Sequence, residues 1–189
     1  MDPFITLVSG LPRAGTSLMM QMLAAGGMPI LTDGIRKPDP DNPRGYFEFE
    51  PVKRTRTDAT WLPRARGKAV KLIYALLPDL PQDFEYRVIL MHRDLREVVA
   101  SQRAMLQRSG NQGADISDDR MAAIFKDEMQ SVRAWLSQQP AFATLDVEHR
   151  DCLNTPVLTA ARVNRFLGGG LNEAAMALAV DPALHRQAY

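Results

Sequence analysis

The stretch Phe4-Ile-Thr-Leu-Val-Ser-Gly10-Leu-Pro-Arg-Ala-Gly15-Thr-Ser17-Leu-Met-Met-Gln-Met-Leu23 decides the fold. Its first six residues are a short, β-rich apolar run stopped by Gly10 and Pro12, which predicts a buried strand. From Ser17 onward, Leu18, Met19, Met22 and Leu23 recur at helical spacing until Gly26 and Gly27 end the pattern. The order is therefore strand, glycine-bounded turn, helix. At the start of a helix, free backbone N–H groups and the helix dipole favour an anion, so Gly10–Ser17 has the position of a phosphate cradle.

The same alternation repeats downstream. Ala69–Ile73, Tyr86–Met91 and Ala143–Val147 predict three more strands. Asp94–Leu106 predicts a helix with Leu95, Val98, Val99 and Leu106 on one side. Ser117 caps a longer helix with the stripe Met121, Ile124, Phe125, Val132, Trp135 and Leu136, ended by Pro140. Another helix runs from about Pro156 to Phe166 and stops at Gly168-Gly169-Gly170, and a short helical segment follows it. Between 33 and 66, Pro38, Pro40, Pro43, Pro51 and Pro63 separate charges and aromatics, which predicts a long irregular excursion carrying one short helix. The expected fold class is α/β: a P-loop-type three-layer fold with a mainly parallel sheet of about four to five strands flanked by helices. Ligands are expected at the carboxyl ends of the strands.

At 189 residues, the chain suits one domain spanning 1–189 under a soft prior of about 150 residues per domain. Hydrophobic residues make up 46% and charged residues 24%, which excludes disorder and coiled coil. With 23 basic and 22 acidic residues the net charge is +1, so no whole-molecule field draws nucleic acid or an anionic membrane. Any anion site must be local. Cys152 stands alone, the start lacks a signal-peptide pattern, and the apolar run Leu18–Leu31 is interrupted by Gln21, Gly26, Gly27 and Pro29. The expectation is a soluble, cytoplasmic protein with neither nucleic-acid nor membrane partners.

A nucleoside-triphosphate loop has lysine where this one has Thr16, so the β/γ-phosphate cation is missing. The string Pro12-Arg13-Ala14-Gly15-Thr16-Ser17 instead resembles the 5′-phosphosulfate loop of sulfotransferases. These enzymes use 3′-phosphoadenosine 5′-phosphosulfate (PAPS), and the arginine form is similar to the tyrosylprotein and bacterial branches. The resemblance implies that Arg13 contacts the 5′-phosphate and sulfo group, with Thr16, Ser17 and the loop amides on the phosphate. Leu18 stands where cytosolic members stack adenine on tryptophan.

Leu90-Met-His-Arg93-Asp-Leu-Arg-Glu-Val-Val-Ala-Ser101 resembles the family's 3′-phosphate motif, an arginine at a strand end and a serine eight positions on. Eight helical residues rise about 12 Å, so Arg93 must lie in the turn and reach back for both to meet one phosphate. Asp146–Asp151, Leu153, Pro156 and Arg165-Phe-Leu-Gly168 extend the likeness to bacterial members, with His149 where tyrosine is usual. The cytosolic enzymes' C-terminal Arg-Lys-Gly segment has no counterpart, so another basic residue must complete the 3′-phosphate site.

The family resemblance implies sulfo transfer from PAPS to a hydroxyl or amine of a small-molecule, carbohydrate or peptide acceptor, with no metal. By analogy with phosphoryl transfer, the chemistry asks for in-line positioning and for cations where charge develops. Arg13 is one such cation. Lys71 is the other, because it precedes Arg93 by 22 residues, much as a catalytic lysine does in the family. The histidine base of cytosolic members is replaced by Ile73. His92 reads as a strand-end residue, His149 as part of a distant turn, and His185 lies near the C-terminus. Asn42-Pro-Arg-Gly-Tyr-Phe-Glu48 resembles the "Asn-Pro-x-Gly-Tyr-x-Glu" segment of bacterial members, which puts Glu48 forward as base with Glu50 and Asp33 as alternates. Between Arg36 and Lys71, ten basic residues face five acidic ones, a local excess able to steer an anion. Tyr46, Phe47, Phe49 and Trp61 either line an acceptor pocket or anchor the loop. Two other readings compete: a small P-loop nucleotide kinase, and a protein that binds PAPS or its bisphosphate without turnover.

Overall fold

The structure is a computed structural model, and it describes residues 3–39, 42, 44–108, 110 and 116–181. Pro40, Pro43 and His185 lie outside the described residues. Four strands form one sheet: β1 (Ile5–Gly10), β2 (Ala69–Lys71), β3 (Tyr86–His92) and β4 (Phe142–Glu148). Their order is β2-β1-β3-β4, and every pairing is parallel. All six residues of β1 are buried, as expected of a central parallel strand covered on both faces. Ile5, Leu7, Val8, Val88, Ile89 and Leu90 have no exposed surface and form the middle of the core.

Seven α-helices surround this sheet among the described residues: α1 (Thr16–Ala25), α2 (Leu62–Ala65), α3 (Leu95–Arg108), α4 (Asp118–Leu136), α5 (His149–Asn154), α6 (Pro156–Phe166) and α7 (Glu173–Leu178). Helices α1, α7 and α6 pack in series, and α3 packs on α4. The connections β1 to β2 and β3 to β4 cross the sheet in opposite directions, so right-handed crossovers place α1 on one face and α3 and α4 on the other. This gives the three-layer α/β architecture read from the sequence. The chain leaving β1 and the chain leaving β3 thus diverge, and a crevice opens between two adjacent strands at their carboxyl ends.

The helix ends follow local chemistry. Ser117 accepts a hydrogen bond from the Arg120 amide at 3.2 Å and begins α4, as its sequence position predicts. Asp94 accepts from the amides of Arg96 at 2.9 Å and Glu97 at 3.3 Å, which starts α3 one residue later than the sequence pattern suggests. Strand β2 is shorter than expected: Leu72 keeps a hydrogen bond to the Val8 carbonyl, but a 3-10 segment, Tyr74–Asp79, then takes over. The excursion before β2 carries α2 and a second 3-10 segment, Glu50–Arg54, each with proline in its first turn. Trp61 packs edge-on against Phe49, centroids 6.1 Å apart, and both are buried, so this aromatic pair anchors the excursion to the core. No helix among the described residues is long and apolar enough to cross a membrane.

Candidate active site

The loop after β1 depends on two close approaches. Gly10 has φ +146°, and a Cβ there would lie 2.6 Å from the Met91 carbonyl oxygen of neighbouring β3. Gly15 has φ +97°, and a Cβ there would meet His149 Cδ2 at 2.5 Å. Glycine is required at both places because side chain and backbone compete for the same space. Gly15 caps α1 with no side-chain hydrogen bond to its first turn, which leaves the helix N-terminus to the loop and whatever anion it receives.

Arg13 adopts a left-handed φ of 71°, unusual for a residue with a side chain. Its Nε donates to Ser101 Oγ at 2.9 Å across 88 residues of sequence. Arg93 lies in the turn between β3 and α3 and donates from Nη1 to the Arg13 carbonyl at 3.2 Å, while its Nε donates to Glu97 at 2.7 Å. The motif resemblance implies that Arg93 reaches back towards Ser101. Arg13 bridges them, holding Ser101 through its side chain and Arg93 through its carbonyl. Ser101 is 3% exposed and shares an inward helix face with Val98, so it is not a surface serine.

A cleft of about 610 Å³ opens over this junction. Pro12, Arg13, Gly15, Thr16, Ser17, Arg93, Ser101, Lys71 and Glu48 all line it. Ala14 does not: it is 1% exposed, and its amide donates to the Leu11 carbonyl at 3.1 Å. It shapes the loop from the core side.

Lys71 and Glu48 meet at the other end of the motif set. Lys71 Nζ donates to the Tyr46 carbonyl at 2.5 Å and lies 3.7 Å from Glu48 Oε1. Burial pushes the Lys71 ammonium down to about 8, against the opposing pull of Glu48. Arg36 also engages Glu48 Oε1, from Nη1 at 2.7 Å, and its guanidinium lies 3.4 Å over the Tyr46 ring. Both cations approach the same oxygen, Glu48 Oε1. Neither alternate base lines the cleft. Glu50 pairs with Lys53 at 2.6 Å. Asp33 accepts from the amides of Glu50 at 2.5 Å and Ile35 at 3.0 Å. Desolvation pushes the Asp33 carboxyl up, but these amides together hold it below the usual range.

Several cleft residues lie beyond the sequence reading. His149, read as part of a distant turn, is 8% exposed and packs on Gly15 in the cleft wall. Arg108 and Met105 line the cleft too. Their signal was present, because positions 101, 105 and 108 share one helical face, and Ser101 marks that face as the inward one. Arg36 had no local signal beyond the basic excess. His92 stays outside, bound to Asp146 at 2.5 Å.

No family model matches the sequence, and no curated protein matches it. Solved structures do. A sulfotransferase domain from the curacin biosynthetic pathway superposes with a TM-score of 0.56 at 14% identity, over 96% of this chain and 89% of that one. A retinol dehydratase in complex with androsterone and the inactive cofactor PAP gives a TM-score of 0.54 at 16% identity, over 95% of this chain and 64% of that one. The chain therefore has the sulfotransferase-type α/β fold, and it spans about two thirds of the larger neighbour.

Proposed function

We propose that the protein is a PAPS-dependent sulfotransferase acting on a hydroxyl or amine. One observation carries this reading: Arg13 ties the loop after β1 to Ser101 and Arg93, so both phosphate motifs open on one cleft with Lys71 and Glu48. The fold likeness supports it, and one of the neighbours holds PAP.

The residues present suit such a donor. The α1 N-terminus and the turn at Gly15 offer amides to a 5′-phosphate, while Thr16 and Ser17 supply hydroxyls beside it. Arg93 and Ser101 supply a cation and a hydroxyl for a 3′-phosphate, with Arg108 on the same helix face as the basic residue that the missing C-terminal segment calls for. The donor contributes an activated sulfo group. Transfer forms a bond from the acceptor oxygen or nitrogen to sulfur and breaks the bond from sulfur to the 5′-phosphate oxygen. Arg13 and Lys71 hold positive charge where the leaving oxygen gains negative charge. Glu48, whose Oε1 lies beside Arg36 and Lys71, takes the acceptor proton. Arg36 holds that carboxylate at Oε1.

Thermal shift with 3′,5′-bisphosphoadenosine and with Mg-ATP tests the assignment. A ligand at 100 times its dissociation constant stabilises by about 2.7 kcal/mol, so the bisphosphate should raise Tm and Mg-ATP should not match it. Preference for Mg-ATP would favour the nucleotide kinase instead.

A further inference from the structure

Arg93 enters the turn after β3 and lines the cleft, while His92, the last residue of the strand, does not. His92 pairs in register with Glu148, so the sheet is intact up to the residue before the turn. Two residues back on the same face of β4, Asp146 Oδ1 lies 2.5 Å from His92 Nε2. A carboxylate accepts, so Nε2 carries the hydrogen, which the ring can supply whether neutral or protonated. Asp146 is held at two further points: Arg133 of α4 donates to Oδ2 at 3.0 Å, and Arg162 of α6 donates to the main-chain oxygen at 2.8 Å. The His92 side chain is 19% exposed against 42% for Asp146 and 59% for Arg133, so the member nearest the turn is the most sheltered of the three.

We infer that His92 is a positioning residue for the 3′-phosphate site, anchored by Asp146. The inference rests on the sulfotransferase reading, in which Arg93 holds the 3′-phosphate, and it says what sets that arginine. The guanidinium of Arg93 is steadied at its tip, by Glu97 and by the Arg13 carbonyl. His92 steadies its root. One peptide bond separates the two residues, and the imidazole ties that point of the chain to β4 and, through Asp146 and Arg133, to α4, the helix that packs on α3. A guanidinium must meet phosphate oxygens within ordinary hydrogen-bond distance, so a turn that drifts loses contact at the 3′ end. The 5′ end is held by the loop after β1 and keeps its own contacts.

Calorimetric titration of 3′,5′-bisphosphoadenosine and of 5′-AMP into the parent, His92→Leu, His92→Gln, Asp146→Ala and the double variant His92→Leu/Asp146→Ala tests this. His92→Leu and Asp146→Ala should each lower the preference for the bisphosphate about threefold or more, the size that one partly exposed hydrogen bond can transmit, with 5′-AMP affinity within about twofold of the parent. The double variant should lose no more than the larger single loss, because both changes break one linkage. His92→Gln, whose amide can donate to Asp146, should recover most of the preference. Retained 5′-AMP binding also reports a folded variant, whereas a merely structural role would weaken both nucleotides alike. Parent-like preference in His92→Leu overturns the inference, as do additive losses in the double variant, a glutamine variant no better than leucine, or equal weakening of the two nucleotides. Any of these beside a parent that prefers the bisphosphate leaves the sulfotransferase reading intact. No preference in the parent removes that reading and this inference with it.

Discussion

Arg13 joins Ser101 to Arg93 through its side chain and its carbonyl, and the proposed function divides the residues around it into those that bind and those that react. Arg93→Ala and Arg13→Ala each remove a charge-assisted hydrogen bond, a loss of about 1.5 to 3 kcal/mol, so bisphosphate affinity measured by calorimetry should fall roughly tenfold or more in each. Glu48→Gln should instead bind well and lose about 10²- to 10⁴-fold in single-turnover rate, a loss that shrinks as pH rises and the acceptor ionises unaided. Parent-like turnover of Glu48→Gln at neutral pH would place the base elsewhere. Under the proposed function, Lys71 sets the alkaline limb. Its folded value of about 8 means that kcat/KM, which reports the free enzyme, should decline as pH rises through about 8. Lys71→Arg, which keeps its charge, should move that decline upward. The sign for stability is opposite. The unfolded lysine titrates near 10.5, so between about 8 and 10.5 the unfolded chain holds more protons and folding stability rises with pH. Urea melts of the parent minus those of Lys71→Met across that window should show this slope, and no slope would mean that the folded lysine is not depressed.

At the scale of elements, the two glycines of the loop make different predictions because they meet different things. A Cβ at Gly10 meets backbone of β3, which cannot move without breaking the sheet. Gly10→Ala should therefore cost at least about 1–3 kcal/mol in denaturant unfolding, with no single side-chain change restoring it. A Cβ at Gly15 meets the His149 ring, so part of the cost of Gly15→Ala should disappear in the Gly15→Ala/His149→Ala double variant, leaving the strain of the positive φ. Additive costs would show that the ring is not the obstacle. The strands and long helices were legible because their signals are local: β-rich runs bounded by glycine, apolar stripes, and the cap Ser117. The 33–66 excursion was legible only as an excursion. The path that delivers Glu48 to Lys71 depends on Tyr46 offering its carbonyl and on Phe47 taking a φ of 53°, which no periodicity encodes. The place of His149 against Gly15 is a contact between residues remote in sequence, and a turn read locally looks distant from everything.

For the whole molecule, the strand order β2-β1-β3-β4 converts two separate motifs into one site. Alternation of strands and helices predicts a parallel sheet, but not that β1 and β3 are neighbours, because order is set by which strands pair after long connections close. Once they pair, Gly10 lies beside Met91, the two outgoing chains diverge, and Arg13 comes within reach of both Arg93 and Ser101. The central claim is that this junction is one bisphosphate site, with the 5′ end at the loop and the 3′ end at Arg93 and Ser101. The most direct measurement is calorimetric titration of 3′,5′-bisphosphoadenosine and of 5′-AMP into the parent and into Arg93→Ala. A 3′-phosphate held by Arg93 predicts that the parent prefers the bisphosphate by about tenfold or more and that Arg93→Ala loses most of this preference while its weak 5′-AMP affinity stays unchanged. Equal affinities of the parent for the two nucleotides, or a preference that survives Arg93→Ala in full, would contradict the account.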